Sequence, residues 1–408
     1  MAAHPLSKAK AQEAIDAVAR EGSIAAAARK LGIVESTFLK HVYRARQMGL
    51  TPSPGLLNTD DPASLRVELK RVRAEMAAVQ KQALDEAMIR KQIIGLAKDI
   101  ADTEPPRWMG AGDSRDTSSP GVPLLFLSDL HWGEVVHPSQ INGVNRYSVD
   151  IAHKRLDILG TTATRLLSIL SPKMDYPGIV LALGGDMISG NIHDELTATN
   201  EMNTMPTVLD LFGKLASFIK YMADTFGRVH VPGVTGNHGR DTHKIWGKDR
   251  HHTSFDWLLY CFLAKHFEGD KRVTFQIPDG PDAYFKIYQH RYLMTHGDQF
   301  RGGDGMIGAL GPIIRGDHRK RSRNAQIDME YDTMLLGHWH QYIHLNRLIV
   351  NGSLKGYDEY AYSNNFPYER PQQALWVTHP RHGITYRMPV FVDRAVAAKK
   401  SEWVSVAA

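Results

Sequence analysis

LLFLSDLHWG (residues 124–133) is an apolar run that stops at an Asp-x-His pair. A short continuous apolar stretch bounded by glycine reads as a strand buried on both faces, as in a parallel sheet. Residues i and i+2 of an extended segment share a face, so Asp129 and His131 point the same way. The pattern recurs down the chain: IVLALGGD (179–186) ends in Asp186, and VHVPGVTGNHG (229–239) delivers Asn237 and His238. YLMTHGD (292–298) delivers His296, and TMLLGHWH (333–340) delivers His338 and His340. Helical stretches are expected at 150–170, 206–226 and 254–267. Further strand-like pieces fall at 273–277, 284–288, 291–295, 333–337, 342–350, 374–378 and 384–391. The alternation is that of an α/β domain whose later half turns to meandering strands. Open α/β sheets place their sites just past the carboxyl ends of strands, which is where these polar residues stand.

The rest of the composition is consistent with this reading. The chain has 408 residues, of which 43% are apolar, enough for a full core. It has no run of about 18 apolar residues, so no membrane partner is expected. A single cysteine, Cys261, excludes internal disulfides and thiolate clusters and fits a reducing, cytoplasmic setting. Against it stand 20 histidines, 18 of them after residue 121, so any metal would be held by imidazole and carboxylate. The net charge is +5, and the first 50 residues hold 8 Lys/Arg against 4 Asp/Glu. A basic excess confined to one end points to a polyanion there.

Residues 1–50 read as three short helices. Ser23 caps the second, and Gly22, Gly32 and Gly49 act as stops. The stretch GSIAAAARKLGIVESTFLKHVYRA (22–45) resembles a helix-turn-helix DNA-binding module, with Thr37, Lys40, His41 and Arg44 facing outward from the third helix. A plain three-helix bundle is the alternative. Residues 51–102 hold a Pro/Gly linker and then a long polar helix, 63–101. Its Leu65, Leu69, Val72, Met76, Val79 and Ala83 follow a coiled-coil seam. The seam restarts out of phase at Ile89, Ile93, Leu96 and Ile100. This helix is expected either to form a homodimer stalk or to lie on the main domain. Residues 103–123 read as a flexible linker, 124–394 as the main domain and 395–408 as a frayed tail.

D-x-H, GD, GNH, HGD and GHxH, in that order, resemble the calcineurin-like metallophosphoesterase superfamily over about Leu124 to Val392. SDLHWG is most similar to the opening motif of its repair exonucleases. The resemblance implies a two-sheet β-sandwich flanked by helices. It also implies two divalent cations, Mn²⁺ with Fe or Mg²⁺ as alternatives. Asp129, His131, Asp186 and His340 would hold one ion. Asp186 would bridge to a second ion on Asn237, His296 and His338, and hydroxide held between the two would attack phosphorus. His238 would protonate the leaving oxygen or stabilise the transition state. Members usually carry an acidic residue after GNH, whereas Gly239 and Arg240 stand here. Asp241 is then the candidate to orient His238, and Arg240 could meet a substrate phosphate.

Lesser features have two readings each. Asn191 and His193 could contact substrate or belong to a surface loop. The run RGDHRKRSR, with Arg315, Arg319, Lys320, Arg321 and Arg323, could be a phosphate-backbone patch or a solvated face. His243, His251 and His252 show no compact ligand spacing, so no third metal is expected there. The expected activity is a DNA-directed phosphodiesterase. A phosphomonoesterase or phage-type phosphoprotein phosphatase, or a DNA-binding regulator with an inactive scaffold domain, are the rivals.

Overall fold

The computed structural model describes residues 7–53, 106–109, 120–301 and 308–393. The chain divides into two compact units, Met1–Ile89 and Arg90–Ala408. The expected stalk at 63–101, most of both linkers and the tail from 395 lie outside the described residues. No helix among the described residues is long and apolar enough to cross a membrane.

In the small unit, α1 (Lys8–Glu21), α2 (Ile24–Lys30) and α3 (Glu35–Gln47) match the expected helices. Ser7 and Ser23 cap α1 and α2 by accepting backbone N–H bonds, and Gly22 closes α1 in the left-handed conformation. The core is small: Ala14, Ala17, Ala27 and Ala28 let Phe38 and Val42 of α3 sit close. Thr37, Lys40 and Arg44 are exposed on α3, with His41 half-buried.

The large unit is built on two sheets. In the first, β1 (Val122–Leu127), β2 (Ile179–Leu183), β3 (Val229–Pro232) and β4 (Val273–Gln276) run parallel. There β10 (Gln372–His379) pairs antiparallel with β1, and β11 (Gly383–Phe391) with β10. In the second, β6 (His290–Thr295), β7 (Thr333–Leu336) and β9 (Leu348–Val350) are parallel. Antiparallel β5 (Asp282–Ile287) and β8 (Ile343–His344) form its edges. The strand orders are β11-β10-β1-β2-β3-β4 and β5-β6-β7-β9-β8.

Strand alternation explains why these runs are apolar throughout. On β1, Leu124 and Phe126 face the second sheet, meeting Phe285, Tyr292, Met294, Leu335 and Trp376 in the core between the sheets. Leu125 and Leu127 face the other way. There they meet α4 (Val149–Leu170), α6 (Thr204–Phe226) and α7 (Phe255–His266). The outer face of the second sheet packs under α8 (Leu310–Ala325) through Ile313. The expected fold class therefore holds: an α/β sandwich of two mixed sheets with helices outside both. Two short helices, α5 (Asp194–Thr199) and α9 (Glu359–Ser363), lie on connecting loops.

Two expectations need correction. The run 342–350 is two antiparallel strands, because a turn closed by the bond from Leu345 N to Leu348 O reverses the chain. The charge run 315–323 is the body of α8, an amphipathic helix whose Ile313, Gly316 and Lys320 are buried.

The sheets are also tied by a polar bolt. Asn351, fully buried, shares the two hydrogens of Nδ2 among Phe126 O, Ser128 Oγ and Gln373 Oε1, each 3.0 Å away, and accepts from Ala374 N at 2.8 Å. It joins the end of β9 to β1 and β10 directly beneath Asp129. Asn351→Ala should strand these partners in an apolar interior and destabilise the large unit by about 3 kcal/mol, read as a lowered thermal midpoint. A loss below about 0.5 kcal/mol would show that the bolt carries no load.

Candidate metal centre

Each predicted ligand stands just past the carboxyl end of a strand: Asp129 and His131 after β1, Asp186 after β2, Asn237 after β3, His296 after β6, His338 and His340 after β7. The two sheets thus contribute to one edge. Tight turns deliver the side chains, and they require unusual backbone. Among the described non-glycine residues with positive φ are Asp129 (54°), His131 (47°), Asp186 (51°), His338 (67°) and His340 (52°). Such conformations cost of order 1–3 kcal/mol each and cluster at functional sites. Close approach matters as well. A Cβ on Gly236 would fall 2.0 Å from Asp186 Oδ1, and one on Gly337 would fall 2.6 Å from Asp129 Oδ2.

The ligand atoms form adjoining groups. Asp129, His131 and His340 make one; Asp186, His296 and His338 make another; Asp186 also groups with His131 and His238. Asp186 and His131 each belong to two of these groups, so the three adjoin through them. His131 Nε2 lies 3.0 Å from His340 Nε2, and His340 Nε2 is 3.4 Å from Asp129 Oδ1. His296 Nε2 lies 3.0 Å from Asp186 Oδ2 and 3.2 Å from Asn237 Oδ1.

His131 Nδ1 lies 3.1 Å from Glu134 Oε2 without the alignment of a hydrogen bond, whereas His296 Nδ1 donates to Gly184 O at 2.8 Å. Fixing Nδ1 this way aims Nε2 inward, the wiring of metal-ligating imidazoles. The donor set of carboxylate, amide oxygen and imidazole suits divalent cations such as Mn²⁺, Fe²⁺ or Zn²⁺.

The electrostatics are those of a site built for cations. Burial, with Lys355 and His238 nearby, pushes the His131 pKa down to about 4. Burial and His296 do the same to His338, to about 4. Both rings are neutral and ready to donate lone pairs. Burial opposes charge on His296 too, but the Asp186 and Asp129 carboxylates push it up to about 10. Burial likewise opposes charge on Asp186, yet His296 and His238 hold it well below the usual carboxylate range. In the metal-free protein the His296 proton is thus the counter-charge to the buried carboxylates.

Sequence reading missed two supports. Asp256, in the first turn of α7, is fully buried and accepts backbone N–H bonds from Asp186 (3.0 Å), Met187 (3.2 Å) and Gly236 (2.9 Å). It clamps the GD and GNH loops together. Burial and the Asp186 charge push its pKa up to about 7. Only the helix start at Ser254 hinted at it. The second support lies behind His131, where buried Lys355 bridges Glu134 Oε1 (2.8 Å) and Asp358 Oδ2 (2.5 Å). Burial opposes charge on Lys355, but the two carboxylates raise its pKa. No local motif marks this triad.

The remaining expected residues divide. His238 joins the cluster, its ring 4.6 Å from His131, its backbone N–H donating to Asp186 Oδ1 at 2.7 Å. Its Nδ1 donates to the Ser189 carbonyl at 3.0 Å, so that carbonyl holds the ring in the place proposed for Asp241. His193 lies close by, 5.7 Å from His238. A pocket of about 1560 Å³ opens over the cluster, lined by His193 and also by Tyr357, Tyr360 and Phe366.

Asn191, Arg240 and the basic residues 315–323 do not line it. Asn191 is exposed outside it. Arg240 turns onto its own loop, donating to the carbonyls of Asn237, Thr242 and His243. Lys320 and Arg323 pair with Asp282, and Arg321 with Asp317 and the carbonyls of Tyr331, Asp332 and Arg347. Arg315 and Arg319 stand exposed on α8. Lys320, Arg321 and Arg323 thus brace the fold around α8.

No family model and no curated protein matches the chain. Among solved structures it is similar to a conserved Streptococcus pneumoniae protein described as a predicted phosphoesterase, at 12% identity over 62% of this chain and 81% of that one, TM-score 0.24. It is also similar to vacuolar protein sorting 29 from Cryptosporidium parvum, at 13% identity over 63% and 84%, TM-score 0.27. A third is the sulfate thiohydrolase SoxB of Termus thermophilus, at 11% identity over 67% and 57%, TM-score 0.28.

Metal uptake should expel the His296 proton, because ligation needs the neutral ring. Near neutral pH, calorimetry in buffers of different ionisation enthalpy should show release of about one proton per centre filled. That release should fade, and affinity should rise, as pH climbs through about 10. By the same linkage, the stability His296 lends the metal-free protein is complete below its ordinary pKa of 6.5 and lost as pH rises through about 10. Uptake without proton release would contradict this assignment.

Proposed function

We propose that the large unit is a dinuclear metal-dependent phosphoesterase of the calcineurin-like type, acting on phosphodiesters of DNA. One observation carries the core of this reading: donors from two sheets converge at one edge, with Asp186 common to two of their groups and the His296 ring aimed inward by the Gly184 carbonyl. Asp129, His131 and His340 would hold one cation and Asn237, His296 and His338 the other, Asp186 lying between. When bound, such a pair supplies Lewis acidity at phosphoryl oxygens and a nucleophile active near neutral pH.

The chain's own residues do the rest. Asp256 fixes the two loops that carry Asp186 and Asn237. His238 lines the pocket beside the cluster, its tautomer set by Ser189 so that Nε2 is left to meet a leaving oxygen. Burial lowers its pKa, with Asp186 opposing, and a carbonyl stabilises the charged ring less than a carboxylate would. The acid role therefore depends on the negative charge of the bound substrate.

Three features support DNA as the substrate. The small unit is basic and exposes Thr37, Lys40 and Arg44 on one helix. The SDLHWG motif resembles that of repair exonucleases. The pocket wall carries Tyr357, Tyr360 and Phe366, on which unpaired bases can stack. One observation favours the phosphomonoesterase reading. Among the described lining residues the sole Lys or Arg is Lys355, already paired, while Asp194, Glu195 and Glu359 make the rim acidic. Such a rim accepts a short substrate more readily than a polyanion.

The test is a Mn²⁺-supplemented assay on linear duplex DNA, single-stranded DNA, bis-p-nitrophenyl phosphate and p-nitrophenyl phosphate. The diesterase reading expects DNA and the diester to be hydrolysed well ahead of the monoester; the reverse order would establish the rival. His238→Ala should slow DNA hydrolysis by about 10²- to 10⁴-fold, the range for general acid catalysis. It should slow the nitrophenyl diester far less, since nitrophenolate leaves unaided. Equal losses on both would make His238 an electrostatic clamp instead.

A further inference from the structure

A second constellation of metal-binding side chains stands apart from the pocket. His251, His252 and Asp279 bring ligand atoms within 4.8 Å of one another. His251 Nε2 and His252 Nε2 each lie 3.8 Å from Asp279 Oδ1. The two rings are 3.9 Å apart between centroids. Sequence spacing gave no sign of this, because Asp279 comes from the loop after β4 and joins the pair only through the fold.

His251 sharpens the picture. It is 7% exposed, and its Nε2 has no hydrogen-bond partner among the described residues. A buried ring nitrogen left unpaired costs about 1–3 kcal/mol, so it calls for an explanation. An ion pair with Asp279 is a poor one: 3.8 Å exceeds hydrogen-bond length. Around a tetrahedral ion with bonds near 2.0–2.1 Å, ligand atoms sit roughly 3.3 Å apart. The two separations to Asp279 Oδ1 need to close by only about half an ångström. On the far side of His252, Nδ1 faces Asp249 Oδ1 at 3.8 Å.

We propose that His251, His252 and Asp279 form a third metal site, structural in role, for a tetrahedral ion of the Zn²⁺ type completed by water. Two imidazoles and one carboxylate favour Zn²⁺ over Mg²⁺ or Ca²⁺, which prefer oxygen alone. The site's place in the fold gives it a task. Asp241 N donates to Thr253 O at 2.8 Å, and Phe255 N to Gly239 O at 2.6 Å, so the GNH loop is laced to the segment that carries both histidines. An ion there would pin that segment to the β4 loop and steady the approach to His238.

The experiment uses the full chain, stripped with chelator and reloaded with Zn²⁺ alone, with bound metal counted by mass spectrometry. The wild type should hold three equivalents and Asp279→Asn two. Asp279 is a mostly exposed side chain whose replacement leaves the fold intact. In a variant whose main centre is disabled, Asp129→Asn with Asp186→Asn, one equivalent should remain. Cobalt substituted into that variant should show a tetrahedral absorption spectrum, which the further change Asp279→Asn removes. Two equivalents in the wild type, or an unchanged count in Asp279→Asn, would overturn the proposal and leave the dinuclear reading untouched.

Discussion

Two carboxylates, Asp129 and Asp186, are buried where the edges of two sheets meet, 0% and 1% exposed. Charges in such a place are sustained only by nearby positive charge and by hydrogen bonds. Much of the local structure serves this constraint. Backbone N–H groups of His238 and His338 donate to the two carboxylates. Left-handed turns aim imidazoles at them, and glycines leave room for the close approach. In the metal-free protein one imidazole, His296, carries the balancing proton. Cations bound at the same point would replace that proton and balance the carboxylates better.

The demand reaches outward through Asp256 and through the Glu134–Lys355–Asp358 triad. Both are buried charges with no direct place among the ligand atoms. Asp256 sets the distance between the GD and GNH loops. In the triad, Glu134 lies 3.1 Å from His131 Nδ1 and Lys355 offsets part of the charge of the two carboxylates. Asn351 sits one layer deeper and fixes how the second sheet meets β1. The site is therefore backed by buried polar groups at the carboxyl edge of the sheets, above the apolar core between them.

How much of this was legible in the sequence follows from which interactions are local. A buried parallel strand followed by a glycine turn is written in consecutive residues, so the five strand ends and their polar residues could be read off directly. The Lys355 triad, the Asp256 clamp and the Asn351 bolt join residues tens to hundreds of positions apart, and no local period encodes them. The run around Lys320 misled for a related reason. Its charges suggest a solvated or phosphate-facing surface, but a helical period turns Lys320 inward onto Asp282 of a distant strand. Arg240, which sequence offered as a contact for a substrate phosphate, turned out to brace its own loop. Orientation of His238 passed to the Ser189 carbonyl, an acceptor that sequence could not nominate because every residue has one.

The central claim is that Asp186 lies between two cations. It is tested most directly by anomalous diffraction from crystals of the protein grown or soaked with Mn²⁺. The account predicts two strong peaks about 3.5–4 Å apart, one beside Asp129, His131 and His340, the other beside Asn237, His296 and His338, with the Asp186 carboxylate touching both. A single peak, or a pair that leaves Asp186 uncoordinated, would contradict it.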